Sequence, residues 1–347
     1  MKPDLRGLAT GVGSLPFKDP VQALDLIFKY LPEIPFWPQL PRRSFLEGML
    51  IQYSQNIPCL SIADDDLIFH SRNIDAELER FYEKIISQDL EHFAIGAGYA
   101  SGLYEFRRML RENPQLLNPV RYIKCHITGP FTFSASVKDD KDVPLLHEPV
   151  LRQAIIKGLA MKALWQVRFF KEFNKKIIMF IDEPYLASFG SAYTPVTREE
   201  VVKALAELTL DLKSEDVLTG VHCCGNTDWS IFTDIASLDI INFDAFNFME
   251  KFVLYAAGLK KFLNRNGIIC WGVVPTQEFS AKFTAAGLID KLNSGIDALK
   301  NKGVVVEELL SGMLVSPSCG LGSLDVSKPE PIFRMLSEIS SLLAKKP

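Results

Sequence analysis

Short apolar runs alternate with longer amphipathic stretches along nearly the whole chain. The runs are LATGVGS at 8–14, IPFW at 34–37, VRYIKCHI at 120–127, KIIMFI at 176–181, VLTGVHC at 217–223, DIINFD at 239–244, IICWGVV at 268–274 and GMLVSPS at 312–318. Their length and apolar character make them strand-like. Each is followed by a stretch with helical spacing. In PVQALDLIFKY, Val21, Leu24, Ile27 and Phe28 share one face, SFLEGMLIQYSQ follows at 44–55, and a long helix is expected from about 149 to 173. TREEVVKALAELTLDLK, TDWSIFTDI, KFVLYAAGLKKFLNRN, GLIDKLNSGIDALKN and PIFRMLSEISSLLAKK complete the series. Alternation of this kind predicts a parallel sheet, and eight units predict an α/β fold closed as a (β/α)8 TIM barrel, one domain over residues 1–347. Residues 57–117 break the rhythm, because CLSIA and HFAIGAGY flank the strongly periodic NIDAELERFYEKIISQ. That segment reads as an inserted subdomain or hairpin.

Charge and composition narrow the class. Lys and Arg number 38 against 42 Asp and Glu, a net of −4, so there is no basic field to hold nucleic acid or an anionic membrane. No apolar run reaches the ~18–20 residues of a membrane-spanning helix, and MKPDLRGLAT lacks the apolar stretch of a signal peptide. A soluble cytoplasmic protein is expected. Six cysteines in a chain this long are too sparse for a disulfide framework, which leaves core packing, a metal site or a nucleophile.

In a barrel, chemistry gathers where strands end. Those ends carry Ser14, Trp37, His126, Thr128, Asp182, Glu183, His222, Cys224, Asp244 and Cys319. VHCCGN is the sharpest of them. Residues i and i+2 of a strand face the same side, so His222 and Cys224 can both face the mouth while Cys223 points away. Zinc takes imidazole nitrogen and thiolate sulfur in a tetrahedral set. Cys319, closing the last strand, is the natural third ligand, and Asp244 can serve as a fourth or as a partner orienting His222. The competing reading is a hydrogen-bonded core histidine with packing cysteines. Asp182 and Glu183, in IDEP, are either site carboxylates or loop caps. In GVGSLP the glycines let backbone N–H groups approach an anion such as a carboxylate, although a plain turn has the same composition. Asp64, Asp65 and Asp66 read as a solvated loop, and Trp37 as packing.

Taken in order, GVGSLPF, TGP at 128–130, IDEP at 181–184, VHCCGN at 221–226, INFD at 241–244 and SPSCGLG at 316–322 resemble the catalytic barrel of cobalamin-independent methionine synthase. HCCGN is also similar to the thiol:corrinoid methyltransferases of the wider uroporphyrinogen-decarboxylase/methionine-synthase superfamily. The resemblance implies that His222, Cys224 and Cys319 bind Zn²⁺, with Asp244 where that family carries a glutamate ligand. It further implies that Val12, Gly13 and Ser14 hold a substrate carboxylate and that Asp182 holds its ammonium, with Glu183 beside it. The implied activity is methyl transfer to a thiol, homocysteine to methionine. Three departures bear on the donor. A chain of 347 residues leaves no room for the family's second, folate-holding barrel. WGVVPTQEF has no histidine where the family protonates the departing folate nitrogen, and IGAGYASGLYEF replaces an acid-rich stretch. A methyl amine needs a general acid, whereas a methylcobamide leaves as cobalt(I) without a proton. The expected donor is therefore a methylated corrinoid on a partner protein, ahead of methyl-tetrahydrofolate. The alternatives are transfer to coenzyme M or another small thiol, a metal-free tetrapyrrole decarboxylase, and a scaffold barrel with structural zinc.

Overall fold

The computed structural model describes residues 5–70, 73–191 and 196–344. In chain order the strands are β1 (Leu8–Ala9), β2 (Leu60–Ala63), β3 (Asp66–Phe69), β4 (Tyr122–Thr128), β5 (Lys176–Asp182), β6 (Leu218–Cys223), β7 (Ile240–Phe243), β8 (Ile268–Val274) and β9 (Leu314–Pro317). Seven of them form one parallel sheet in the order β1-β9-β8-β7-β6-β5-β4, while β2 and β3 pair only with each other. Side chains alternate across this sheet with the period of two that strands impose. On one face Leu8, Tyr122, Ile178, Phe180, Ile240, Ile268, Cys270 and Leu314 meet in a single inner core together with Ile34. Residues from both ends of the strand order share that core, so the sheet is curled around it. On the other face Ile177, Met179, Ile181, Val221, Ile241 and Ile269 pack in the larger core with the helices. Those helices include Pro20–Tyr30, Pro149–Phe170, Arg198–Leu212, Ala285–Asn301 and Pro329–Ala344. A capping box between Thr197 and Glu200 starts the third of these, satisfying backbone N–H groups that the helix cannot.

Two expectations need correction. Residues 34–37 form no ladder. The segment makes isolated parallel bridges, Phe36 to Lys124 and Gln39 to Ser14, supported by Lys124 N–H donating to the Pro35 carbonyl at 2.9 Å and Gln39 N–H donating to that of Gly13 at 3.1 Å. Pro32, Pro35, Pro38 and Pro41 remove a backbone donor at every third position, so a continuous ladder cannot propagate there. The described strands therefore make a curled sheet of seven, not a closed ring of eight. At 44–55, in place of a helix, stand two single 3₁₀ turns, Phe45–Glu47 and Ile51–Tyr53.

Residues 57–117 do hold a hairpin. β2 and β3 are antiparallel, and the turn residues Asp64 and Asp65 both take left-handed backbone angles, φ 49° and 65°, as a two-residue hairpin turn requires. Helices Ile74–Ile86 and Ser101–Glu112 follow. The insertion packs on helix Pro149–Phe170 at Gly158, where a Cβ would stand 2.1 Å from Ile57 Cδ1, so a larger residue would push that side-chain end aside. Among the described residues, no helix is long and apolar enough to cross a membrane.

Candidate metal centre

The parallel register sets Thr128, Asp182, His222, Asn242 and Cys270 side by side across β4 to β8. Partners in register face the same side, so this row borders the inner core, which Cys270 itself joins. Asn242 fixes the imidazole beside it. Its Nδ2 donates to the Cys270 carbonyl and to Ser316 Oγ, both at 2.9 Å, which turns Oδ1 toward His222 Nδ1 at 2.6 Å. His222 Nδ1 therefore carries the proton and Nε2 presents its lone pair. That Nε2 is buried and bonds to no described residue.

Cys224, just past β6, and Cys319, just past β9, complete the group. The ligand atoms of His222, Cys224 and Cys319 lie within 4.8 Å of one another. Cys223 points the opposite way into the outer core, as strand alternation requires. The two thiols shift each other's titration in opposite directions. A hydrogen bond from Cys319 draws Cys224 well below the ordinary thiol range, against the opposing effect of burial and with help from His222. Cys319, bonded to Cys224 and itself buried, is pushed up. Burial lowers His222, but the nearby Cys224 and Asp182 and the bond to Asn242 outweigh it and raise the imidazole. The set fits zinc. It offers two sulfurs and one orphaned imidazole nitrogen, the donor types that tetrahedral zinc takes, gathered within 4.8 Å of one another. Three protein donors leave a fourth position open.

The group opens into a cleft of about 310 Å³ lined by Val12, Ser14, Gln39, Asp182, His222, Cys224 and Cys319 among others. Of the residues expected at the site, Gly13, Glu183 and Asp244 stand outside this lining. Gly13 packs on the His126 ring, where a Cβ would come within 3.3 Å. Asp244 caps helix Ala245–Phe252, accepting from Asn247 N–H at 2.9 Å and from its side-chain amide at 2.8 Å, and does not join the three-ligand group. Burial raises its carboxyl, offset by those bonds.

Adjacent acids part company. Glu183 accepts from the N–H groups of Phe131 and Thr132 at 2.9 and 2.7 Å and from the Thr132 hydroxyl at 2.6 Å, so it caps helix Pro130–Ser136. A Cβ at Gly129 would stand 2.2 Å from this carboxyl, which gives TGP and DEP one shared structural purpose. Burial pushes Glu183 up to about 7 in spite of its donors. Asp182 instead faces the cleft with Oδ1 buried and unbonded by any described residue. Burial raises it to about 6, while His222 and Lys124 pull the other way.

Lys124 and Asn242 carry weight that the sequence reading did not assign. Lys124 is fully buried, donates to the Val12 carbonyl at 2.5 Å and lies 4.4 Å from the Phe180 ring centre, so it holds the 11–14 segment from below. Burial lowers it to about 8. Trp37 is packing, stacked on His126 at 3.9 Å with its indole N–H on Gln166. Ser14 Oγ accepts from Gly322 N–H at 3.2 Å, which stitches the ends of β1 and β9 together across the cleft. The chain matches no known protein-family model and no curated protein.

Proposed function

We propose that this chain is a zinc-dependent methyltransferase that methylates a thiol, with homocysteine as acceptor and methionine as product. In this reading residues 33–39 act as the eighth stave of one barrel domain. The observation that carries the proposal is the convergence of His222 Nε2, Cys224 and Cys319 on a cleft that also presents Asp182 and Ser14. Zinc held there supplies the positive charge that keeps a substrate thiol ionised at neutral pH, whereas a free thiol with pKa near ~8.5 is mostly protonated. The chain's own groups then position the amino acid. Asp182, with its unpartnered oxygen, holds the ammonium. No described residue accepts from the amides of Val12 or Ser14, and these, with the Ser14 hydroxyl, receive the carboxylate. Asn242 keeps the His222 lone pair aimed into the site.

The lining favours this acceptor over the alternatives. Its described residues include no lysine or arginine. A sulfonate thiol such as coenzyme M, or a tetrapyrrole bearing several carboxylates, needs such cations. Arg43 is engaged away from the cleft on Glu47, and Arg42, at its rim, is held on the Ser323 carbonyl. The open fourth position argues against a purely structural ion.

For the donor, the methyl group comes from a methylated corrinoid carried by a partner protein. His222 is the one imidazole in the described lining and serves as ligand, and His126 is buried under Trp37 with neither nitrogen hydrogen-bonded to a described residue. No imidazole there is free to protonate a departing folate nitrogen. Steady-state assays test this directly. Methionine should form from methylcobalamin and homocysteine, and chelation of zinc should abolish it. Turnover of methyl-tetrahydrofolate without turnover of methylcobalamin would overturn the donor assignment.

A further inference from the structure

We infer a second metal site, remote from the cleft, in which Cys59, His70 and Glu77 hold a divalent zinc-like cation at the base of the inserted hairpin. Three separate chain segments meet there. Leu60 and Phe69 are the last partners in the β2–β3 register, and beyond them His70 N–H donates to the Cys59 carbonyl at 2.9 Å, so the two hairpin ends stay side by side. Helix Ile74–Ile86 brings Glu77, whose Oε2 accepts from Cys59 N–H at 2.7 Å. The donor atoms of all three side chains fall within 4.8 Å of one another.

Two observations point to a ligand. His70 Nδ1 is buried with no hydrogen-bond partner among the described residues, although the residue as a whole is half-buried. A cation supplies the partner that this nitrogen lacks. Cys59 adopts φ 61°, a left-handed angle that a residue with a Cβ rarely takes, and its side chain is fully buried beside Glu77. Thiolate, imidazole and carboxylate together form a borderline-soft set suited to zinc or cobalt, whereas magnesium and calcium prefer oxygen alone.

A cation here ties both hairpin ends to the following helix. A two-stranded hairpin is marginal by itself. This one also extends to Lys138 through the Ile68–Lys138 bridge and Phe69 N–H donating to the Lys138 carbonyl at 3.0 Å. The ion would thus brace the 137–144 loop next to the helix that Glu183 caps.

The test uses the full chain carrying C224S and C319S, which disables the cleft group whether or not the proposed activity is correct. Metal analysis should find about one zinc per chain in that protein, and addition of Zn²⁺ should raise its melting temperature. Co²⁺ in place of zinc should give thiolate-to-cobalt charge-transfer absorption. Adding His70→Gln, a substitution at a half-buried position, should abolish the zinc, the thermal shift and the absorption band while leaving the circular dichroism of the metal-free protein unchanged. Cys59→Ser should do the same to the band. A C224S/C319S protein that holds no zinc, or one whose response to Zn²⁺ and Co²⁺ survives His70→Gln, would overturn the site.

Discussion

The mouth of the sheet and the base of the hairpin bring together cysteine and histidine in opposite electrical settings. At the mouth, the bond from Cys319 draws Cys224 down despite burial, and the group opens onto a cleft. Under the hairpin, burial first and then Glu77 push the Cys59 thiol up to about 11. The two thiols are thus shifted in opposite directions, Cys224 down by its neighbours and Cys59 up by burial and Glu77. Residue type marks both places as metal-competent. Neighbours and access decide which one suits reaction and which one suits bracing.

Substitution separates the two regions most strongly at the cysteines. Cys224→Ser should cost on the order of 10³-fold in kcat, the several kcal/mol a metal's charge supplies, while Cys59→Ser leaves kcat unchanged. Equal losses from both would break the distinction. Asn242→Ala removes only the group that orients His222, and should weaken zinc at the mouth by about 10–100-fold, read by competition with a chelator, without changing the hairpin ion.

The neighbouring acids refine the picture within one region. Asp182→Asn should raise the KM for homocysteine roughly 10- to 100-fold, the ~1.5–3 kcal/mol of a charged hydrogen bond, with little change in urea stability. Glu183→Gln should do the reverse. Its amide would face the Thr132 N–H, leaving a buried donor unpaired at a cost of ~1–3 kcal/mol, with KM unchanged. Exchange of these two outcomes would mean that the roles are reversed.

Beneath the insertion, helix Pro149–Phe170 buries Lys162 completely, with Nζ bonded to no described residue, and burial lowers it from 10.5 to about 7. The unfolded chain therefore holds the proton more tightly between those values. Lys162 thus costs stability as pH falls toward 7, and the urea midpoint should rise with pH from about 7 to about 9, above which the unfolded chain ionises thiols, such as Cys59, that burial keeps protonated in the fold. Lys162→Met should flatten the rise. A midpoint independent of pH in the unsubstituted protein would contradict this.

Strands buried on both faces were the most legible part of the chain. IICWGVV forms β8 over the same residues that its apolar run marks, and KIIMFI falls one residue short of β5. Illegibility arises where local chemistry opposes the pattern. IPFW is as apolar as its neighbours, yet its flanking prolines allow only isolated bridges. At the site, His222 and Cys224 followed from strand alternation, and Cys319 from its place after the last strand. Asn242 did not, because its partnership with His222 depends on which residues come into register between β6 and β7. Glu183 shares its motif with Asp182. Only the approach of Gly129 distinguishes a cap from a cleft carboxylate. Asp244 likewise has a ligand's chemistry, but its two oxygens face Asn247.

The most direct measurement is zinc-edge X-ray absorption on the His70→Gln protein, with and without homocysteine, so that only the cleft group contributes. Without homocysteine, the expected shell holds the two sulfurs of Cys224 and Cys319, the His222 nitrogen and a light oxygen. With homocysteine, that oxygen should be lost and a further sulfur gained. A protein that carries no zinc, or a shell that does not change, would contradict thiol activation at this site.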